Sequence, residues 1–186
     1  MANVREPTPL PPPVSAVVDT QLGRLDQTND GALLERSRAV MDLATRHFAP
    51  EARVVILPEE IVGLGWPATR YWWAPYLAQA ASGRHTIVFG ADLITKMRAP
   101  DPASGRDSEI RYTDSGVVEG ANRVRFDSRQ PVPGALWQPG ANVSAERGRL
   151  TQHYVVINGQ RIALSICYEN LLLWPSRDQG TSQLCP

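Results

Sequence analysis

The feature that most constrains the fold is the alternation, in the first half of the chain, of short apolar runs with two segments of helical spacing. The apolar runs are rich in valine, isoleucine and leucine, which is typical of parallel strands buried on both faces. The two segments between them carry apolar residues at helical intervals, with Asp30 near the start of the first and Pro75 inside the second. The predicted elements are a strand at 14–18, a helix at 30–48, a strand at 52–57, a helix at 71–81 and a strand region at 85–94. This β-α-β-α-β order predicts an α/β fold.

The second half of the chain predicts shorter strands and several turns. The predicted elements are a polar loop at 99–108, strands at 109–113 and 123–126 around a turn at Ser115-Gly116, and a proline-rich loop at 130–140. The clearest local pattern is Asn158-Gly159 between the apolar runs 150–157 and 160–166, because Asn-Gly favours a type I′ hairpin turn. We expect the second strand of this hairpin to run directly into Cys167.

The two ends of the chain differ in composition from the rest. Residues 1–13 hold a proline cluster and few apolar side chains, so we expect an extended or disordered leader there. Residues 176–186 are polar and show no helical period. The folded domain is therefore expected at residues 14–175.

Charge and cysteine content exclude several classes of function. The 19 basic and 19 acidic side chains give a formal net charge of zero, so no contact with nucleic acid is expected. Cys167 and Cys185 are the only cysteines, and they lack the spacing of a zinc site, so we expect neither a metal nor another cofactor. No apolar run reaches the roughly 18 residues that span a bilayer, and the first residues do not resemble a secretory signal. We therefore expect no membrane segment in this chain and predict no localisation.

Two of the predicted strands end in residues that could carry chemistry. Glu59 follows the run 52–57, and the carboxyl edge of an α/β sheet is where such folds bind ligands. The alternative for Glu59 is a solvated loop glutamate. Cys167 follows the run 160–166 where a helix would begin, and such a turn exposes a thiol and lowers its pKa through the helix N–H groups. The alternative for Cys167 is an inert buried thiol.

Together, these two strand ends resemble the nitrilase, or carbon–nitrogen hydrolase, superfamily. That family has a glutamate after a strand ending in Pro-Glu, a lysine in a middle loop and a cysteine at a turn after a later strand. The matching motifs here are Leu57-Pro58-Glu59 and Ile166-Cys167-Tyr168-Glu169. The Cys-Tyr-Glu form, the Leu-Leu-Leu-Trp-Pro that follows it, and the motifs VDTQLGR at 18–24 and PVPGALWQP at 131–139 are similar to TraB-type conjugal transfer proteins and to the apolipoprotein N-acyltransferase branch.

The resemblance implies a four-layer α-β-β-α sandwich and a reaction through a thioester. Cys167 would attack an amide, nitrile or ester carbon, while Glu59 would take the thiol proton and later activate the second nucleophile. Tyr168 and Glu169 would lie beside the nucleophile. For Glu169 the alternative is an ordinary glutamate in the first turn of a helix, favoured by the helix dipole.

The chain departs from the family pattern at the lysine. The corresponding position is Ser128, with Arg129 next to it, and the single lysine, Lys96, lies far upstream. Arg129 could hold the negative charge of a tetrahedral intermediate, but it could not shuttle a proton because a guanidinium does not deprotonate. Leu136 replaces a loop glutamate of the acyltransferase branch, which favours the TraB-type loop.

An aromatic cluster follows the Glu59 strand. In this superfamily the corresponding segment lies near the substrate, so one interpretation is an apolar acyl pocket. The alternative is ordinary packing of large side chains in the core. The cluster consists of Trp66, Tyr71, Trp72, Trp73 and Tyr76.

The sequence therefore supports three hypotheses about function. The first is a carbon–nitrogen hydrolase-like domain of a TraB-type conjugal transfer protein, acting on a small-molecule amide or acyl substrate. The second is a non-catalytic component of a conjugation or envelope assembly, and the third is a gene fragment without function. Relatives in this branch are membrane-associated, and the sequence is compatible with an oligomer.

One prediction follows from the length of the chain. The family domain continues through a helix and further strands after the cysteine, whereas this chain ends at Pro186. We expect a truncated or frameshifted reading frame and an incomplete sandwich with an open sheet edge. The chain alone should be poorly stable and should not turn over amides. Cooperative thermal unfolding together with amidase turnover would contradict this expectation.

Overall fold

The described residues of the computed structural model form an α/β arrangement of three layers, in which two helices, a six-stranded sheet and a two-stranded hairpin pack in that order. The structure describes residues 15–18, 20, 30–48, 52–58, 61, 66–149, 154–166 and 169. The elements are β1 (Ser15–Val17), α1 (Asp30–Arg46), β2 (Val54–Ile56), α2 (Trp66–Ser82), β3 (Thr86–Arg98), β4 (Glu109–Gly120), β5 (Val124–Asp127), β6 (Val143–Ala145), β7 (Val155–Ile157) and β8 (Gln160–Ile162). Neither described helix is long and apolar enough to cross a bilayer.

The first half of the chain forms the parallel part of the large sheet. β1 pairs with β2 and β2 pairs with β3, both in parallel, so the predicted β-α-β-α-β order is confirmed. The three strands are neighbours in chain order, and α1 and α2 pack against each other and against the same apolar core on one face of the sheet. α2 begins at Trp66 rather than at Tyr71, and Pro67 at its second position costs no helical hydrogen bond, because N–H groups in the first turn have no helical acceptor and proline lacks an N–H.

The antiparallel part of the sheet contradicts one prediction. The turn expected at Ser115-Gly116 is wrong, because β4 runs unbroken from Glu109 to Gly120. Ser115 pairs with Ala91 and Gly116 pairs with Gly90 in a long ladder with β3. Ser-Gly favours a turn locally, but strand pairing and burial on both faces override that preference here. The chain turns instead between β4 and β5, and β5 and β6 both pair with the same side of β4.

The helix-facing side of the sheet holds the larger apolar core. Alternate residues of β3 point into it, which follows from the two-residue period of a strand. Trp73 of α2 is fully buried and stacks on Phe89 with 5.0 Å between ring centroids. Trp72 and Tyr76 pack against this core, whereas Tyr71 is exposed. For these aromatic residues the packing interpretation is the one that the structure supports, and the side chain of Trp66 lies outside the described part.

The opposite side of the sheet is covered by the β7–β8 hairpin. Asn158 and Gly159 both have positive φ, 51° and 79°, as a type I′ turn requires, so the predicted hairpin is confirmed. Val155 and Ile157 pack against the sheet residues Val54, Val118 and Phe126.

The end of the hairpin differs from the prediction. β8 stops at Ile162 and does not run into Cys167, and the described residues 163–166 have no regular secondary structure. The Ile166 N–H donates to the carboxylate of Glu169 at 3.3 Å, so it is not used in a strand ladder. The helix expected to begin after Cys167 lies outside the described residues except for Glu169.

Replacing Trp73 tests how much the helix layer depends on one side chain. Trp73→Ala should destabilise the fold by about 3–5 kcal/mol, since it leaves a large cavity between α2 and the sheet. Tyr71→Ala, on the same helix but exposed, should change the free energy of unfolding by less than about 0.5 kcal/mol. Urea unfolding followed by far-UV circular dichroism measures both. Equal effects of the two variants would contradict the packing described above.

Candidate functional site

The structure describes half of the predicted site residues. Ser128, Arg129 and Glu169 are described, and all three are buried, 1, 2 and 0 % exposed respectively. The predictions for Glu59, Cys167 and Tyr168 fall on residues outside the described part of the chain. The residues that directly precede Glu59 and Cys167, Pro58 and Ile166, are described.

The carboxylate of Glu169 is the centre of the site. Its Oε1 accepts hydrogen bonds from the backbone N–H groups of Arg129 and of Gln130, the latter at 3.0 Å. The Ser128 hydroxyl donates to the same oxygen at 3.4 Å. Oε2 accepts the N–H of Ile166 at 3.3 Å. One side chain therefore joins the segment after β5 to the segment that leads to Cys167.

Arg129 supplies the positive charge next to this carboxylate. Its Nε lies 3.8 Å from Glu169 Oε1, and its guanidinium carbon lies 5.7 Å from the centre of the Phe126 ring. A buried carboxylate is costly unless it is hydrogen-bonded and paired with an opposite charge, and here both conditions are met. Ser128 and Arg129, which the sequence placed at the position of the family lysine, are thus brought together with Glu169.

Backbone hydrogen bonds hold the segment after β5 in place. The Ser128 N–H donates to the carbonyl oxygen of Asp114 at 2.7 Å, and the Ser128 carbonyl accepts the N–H of Gly148 at the same distance. The proline-rich loop that follows closes on itself, since the Leu136 and Trp137 N–H groups both donate to Val132 O at 3.0 Å. The predicted loop at 130–140 is confirmed.

The carboxyl end of β2 lies beside the middle of β3. The Leu57 N–H donates to Val88 O at 2.8 Å, and the Gly90 N–H donates to Pro58 O at 3.4 Å. Pro58, the residue directly before Glu59, therefore lies next to Gly90. Glu59 itself lies outside the described residues, so its place at the edge of the sheet stays a prediction.

A cavity of about 150 Å³ opens where these segments meet. Leu57 lies on one side of it, two positions before Glu59, and Ile166 lies on another, directly before Cys167. Asp114, whose carbonyl oxygen holds the Ser128 N–H, also lines the cavity. The cavity therefore borders two of the three segments on which the sequence placed the site, and the third, at Ser128, is attached to its lining through the Asp114 carbonyl.

Some features of this cavity were missed at the level of sequence. Gly90 and Gly116 lie directly opposite each other in the β3–β4 ladder, as do the buried Asp92 and Asp114. The sequence signal that could have indicated them is the polar stretch from Asp114 to Gly116. Its local pattern favours a turn, and a turn is what the sequence predicts there. In the described ranges, no group of three or more histidine, cysteine, aspartate or glutamate side chains could hold a metal ion.

Lys96 lies apart from this cavity. It is half-exposed on β3 and forms an ion pair with Glu109 at 3.3 Å. This ion pair lies at the exposed end of the β3–β4 ladder. The sequence also placed Lys96 outside the site.

Comparison with known proteins gives relatives of two kinds. The conjugal transfer protein TraB of Agrobacterium fabrum is 32% identical over 151 residues, which is 78% of this chain and 32% of that protein. A TraB-type conjugal transfer protein of Sinorhizobium fredii is 27% identical over 165 residues, 86% of this chain and 38% of that protein. The apolipoprotein N-acyltransferase of Bordetella bronchiseptica is 31% identical over 188 residues, 85% of this chain and 34% of that protein. No protein-family profile matches the chain.

These relatives agree with the two groups that the sequence motifs indicated. The chain spans about a third of the length of the curated relatives that it matches. What those longer proteins do is therefore a proposal when carried over to this chain.

The contacts of Glu169 can be tested by a variant that removes the negative charge of its side chain and keeps the side chain's size. Glu169→Gln should destabilise the fold by about 3 kcal/mol, because Arg129 would lose its buried counter-charge and the new amide NH₂ would face N–H donors. Adding Arg129→Met should recover part of that loss. Urea unfolding measures the free energy, and hydrogen exchange of the Arg129 and Gln130 amides reports the local contact. Glu146→Gln, at an exposed position, is the control, and unchanged exchange in Glu169→Gln would contradict the assigned contacts.

Proposed function

We propose that the chain is part of a carbon–nitrogen hydrolase-like domain of a TraB-type conjugal transfer protein, and that this domain carries out amidase or acyltransferase chemistry through a thioester on Cys167. The observation that supports this best is the cavity lined by Leu57, two residues before Glu59, by Ile166, directly before Cys167, and by Asp114, which holds the Ser128 N–H. Segments far apart in sequence meet there, and the proposal is that they carry Glu59 and Cys167 to one site.

The proposed reaction has two covalent steps. Cys167 attacks the acyl carbon of an amide or ester, and Glu59 takes the thiol proton, so that the C–S bond forms as the leaving amine or alcohol departs with a proton. Water or an amine then attacks the thioester with Glu59 again acting as the base. The thiol is regenerated and the acyl group leaves as an acid or a new amide.

Glu169 and Arg129 take supporting roles in this proposal. Glu169 positions the segment 128–130 against the segment that carries the nucleophile, through the N–H groups that its carboxylate accepts. Arg129 contributes positive charge toward the oxyanion of the tetrahedral intermediate, and such a preorganised charge is typically worth a few kcal/mol. The guanidinium stays protonated, so proton transfer is left to Glu59.

The layer order supports a nitrilase-type sandwich as the parent fold. The helices, the six-stranded sheet and the β7–β8 hairpin give an α-β-β order among the described residues. In an α-β-β-α sandwich the hairpin belongs to the second sheet. We propose this fold for the domain that contains the chain.

A second candidate is a non-catalytic component of a conjugation or envelope assembly. One observation favours it: Ser128, at the position of the family lysine, is buried against Glu169, and the Arg129 guanidinium is buried in the same contact. A charge pair used only for packing does not require an activated thiol. The reactivity of Cys167 therefore separates the two candidates.

The test is the alkylation rate of Cys167 between pH 5 and 9, with Cys185 as the internal control, read by peptide mass mapping in native and denaturing buffer. If the proposal holds, Cys167 reacts faster than Cys185 in native buffer, with an apparent pKa below the free-thiol value of about 8.5. Cys167 that is protected, or equal to Cys185 and to the denatured chain, would sink the catalytic proposal and leave the non-catalytic candidate.

Two neighbouring glutamates provide a matched pair of variants for the base. Glu59→Gln should bring the native alkylation rate of Cys167 down to that of Cys185, because the thiol would lose its proton acceptor. Glu60→Gln should leave the rate unchanged. The same mass mapping measures both, and equal rates in the two variants would remove Glu59 from the mechanism.

A further inference from the structure

We propose that the cavity over Gly90 and Gly116 selects the acyl group that Cys167 accepts, and that it takes compact, uncharged acyl groups in preference to long alkyl chains. This inference rests on the proposed function. It adds the size and charge of the substrate, which neither the motifs nor the relatives specify.

The floor of the cavity is a cross-strand pair of glycines. Gly90 and Gly116 are directly opposite each other in the β3–β4 ladder. Their neighbours two residues away, Val88 and Val118, belong to the core on the hairpin side, so both glycines face that side as well. With no side chain on either residue, the sheet has a depression at this point. Glycine within a strand is unfavourable on its own and often marks a place where a ligand approaches the backbone.

The walls and cover of the depression are mainly apolar. Leu57 closes it on the β2 side, while Leu164 and Ile166 lie over it. A methyl group added at Gly116 would be 3.9 Å from Leu164 Cδ1, which is ordinary contact distance. The cavity therefore lies between the glycine floor and the segment that leads to Cys167.

The volume limits what can enter. An apolar cavity of roughly 150 Å³ holds a molecule of about the size of benzene, as known engineered cavities do. The cavity here has about the same volume. A short or cyclic acyl group fits inside, whereas the far end of an extended long alkyl chain would reach out of the cavity into solvent.

Two acidic residues set the charge preference. Asp92 and Asp114 are opposite each other in the ladder, on the same face as the glycines and one pair further along. Both are buried, and Asp114 borders the cavity. A charged acyl group would lose its hydration beside these carboxyl groups, and an anionic one would find no basic side chain among the described lining residues, so the cavity favours neutral groups.

The test uses acylation of Cys167 by p-nitrophenyl esters, in which the C–S bond forms, p-nitrophenolate leaves and Glu59 takes the thiol proton. The esters are the acetate, benzoate, decanoate and hydrogen succinate, each rate being divided by that ester's rate with N-acetylcysteine. We expect acylation by acetate and benzoate to exceed acylation by decanoate and succinate by roughly tenfold, the lower range of discrimination by an apolar pocket. Peptide mass mapping assigns the acyl group to Cys167 or Cys185.

Two variants change the cavity in opposite directions. Gly116→Ala should reduce benzoylation by roughly tenfold and leave acetylation near the wild-type rate. Leu164→Ala should raise the rate with the larger 1-naphthoate ester. Ala163→Val adds bulk at an exposed position in the same segment and should change neither rate. Thermal unfolding of each variant verifies that it folds.

The outcomes separate this inference from the proposed function. Acylation of Cys167 with no dependence on acyl size, or with decanoate preferred, overturns the inference and leaves the proposed function standing. Absence of acylation of Cys167 above Cys185 by every ester overturns the proposed function and the inference with it. A profile that depends on size but is unaffected in Gly116→Ala and Leu164→Ala removes this cavity as its cause.

Discussion

The contact on which the site depends is the buried carboxylate of Glu169. Its two oxygens accept backbone N–H groups from two segments that belong to different layers, one after β5 and one after β8. A buried carboxylate without these donors would cost several kcal/mol, so the contacts form together or not at all. The position of the segment before Cys167 is therefore coupled to the position of Arg129. Any chemistry that needs both segments depends on this one side chain.

The sheet gives the site its second constraint, which is space. Parallel strands bring the end of β2 next to Gly90, and the antiparallel ladder of β3 and β4 places Gly116 opposite it. A methyl group at Gly116 would take up part of this depression, at ordinary contact distance from Leu164. Two glycines in the middle of long strands weaken a sheet, and long pairing on both sides compensates here. The cavity thus results from the same ladder that holds β3 and β4 together.

Local patterns predicted the elements whose signals lie within a few residues. The strand and helix order of the first half and the Asn158-Gly159 turn depend on short-range periodicity and backbone preference, and both are present in the structure. The turn expected at Ser115-Gly116 failed because pairing with β3, set by residues more than twenty positions away, decides the conformation there. The site was placed by resemblance, through motifs around Ser128 and Glu169. Their contact, and the cavity beside it, depend on tertiary pairing that no short pattern contains.

Ser128 and Arg129 stand where the resemblance places a lysine, and in the proposed mechanism this changes what the site can do with charge. An ammonium group on a flexible chain reaches into a pocket and can lose its proton, whereas a guanidinium is planar, stays charged and is best held by a carboxylate. Arg129 meets that description, since it is buried beside Glu169 and near the ring of Phe126. In the proposed mechanism a charge fixed in this way would stabilise an oxyanion as a preorganised field, and proton transfer would be left to Glu59. An enzyme of this type would follow the titration of one carboxyl and one thiol, without a contribution from a third group.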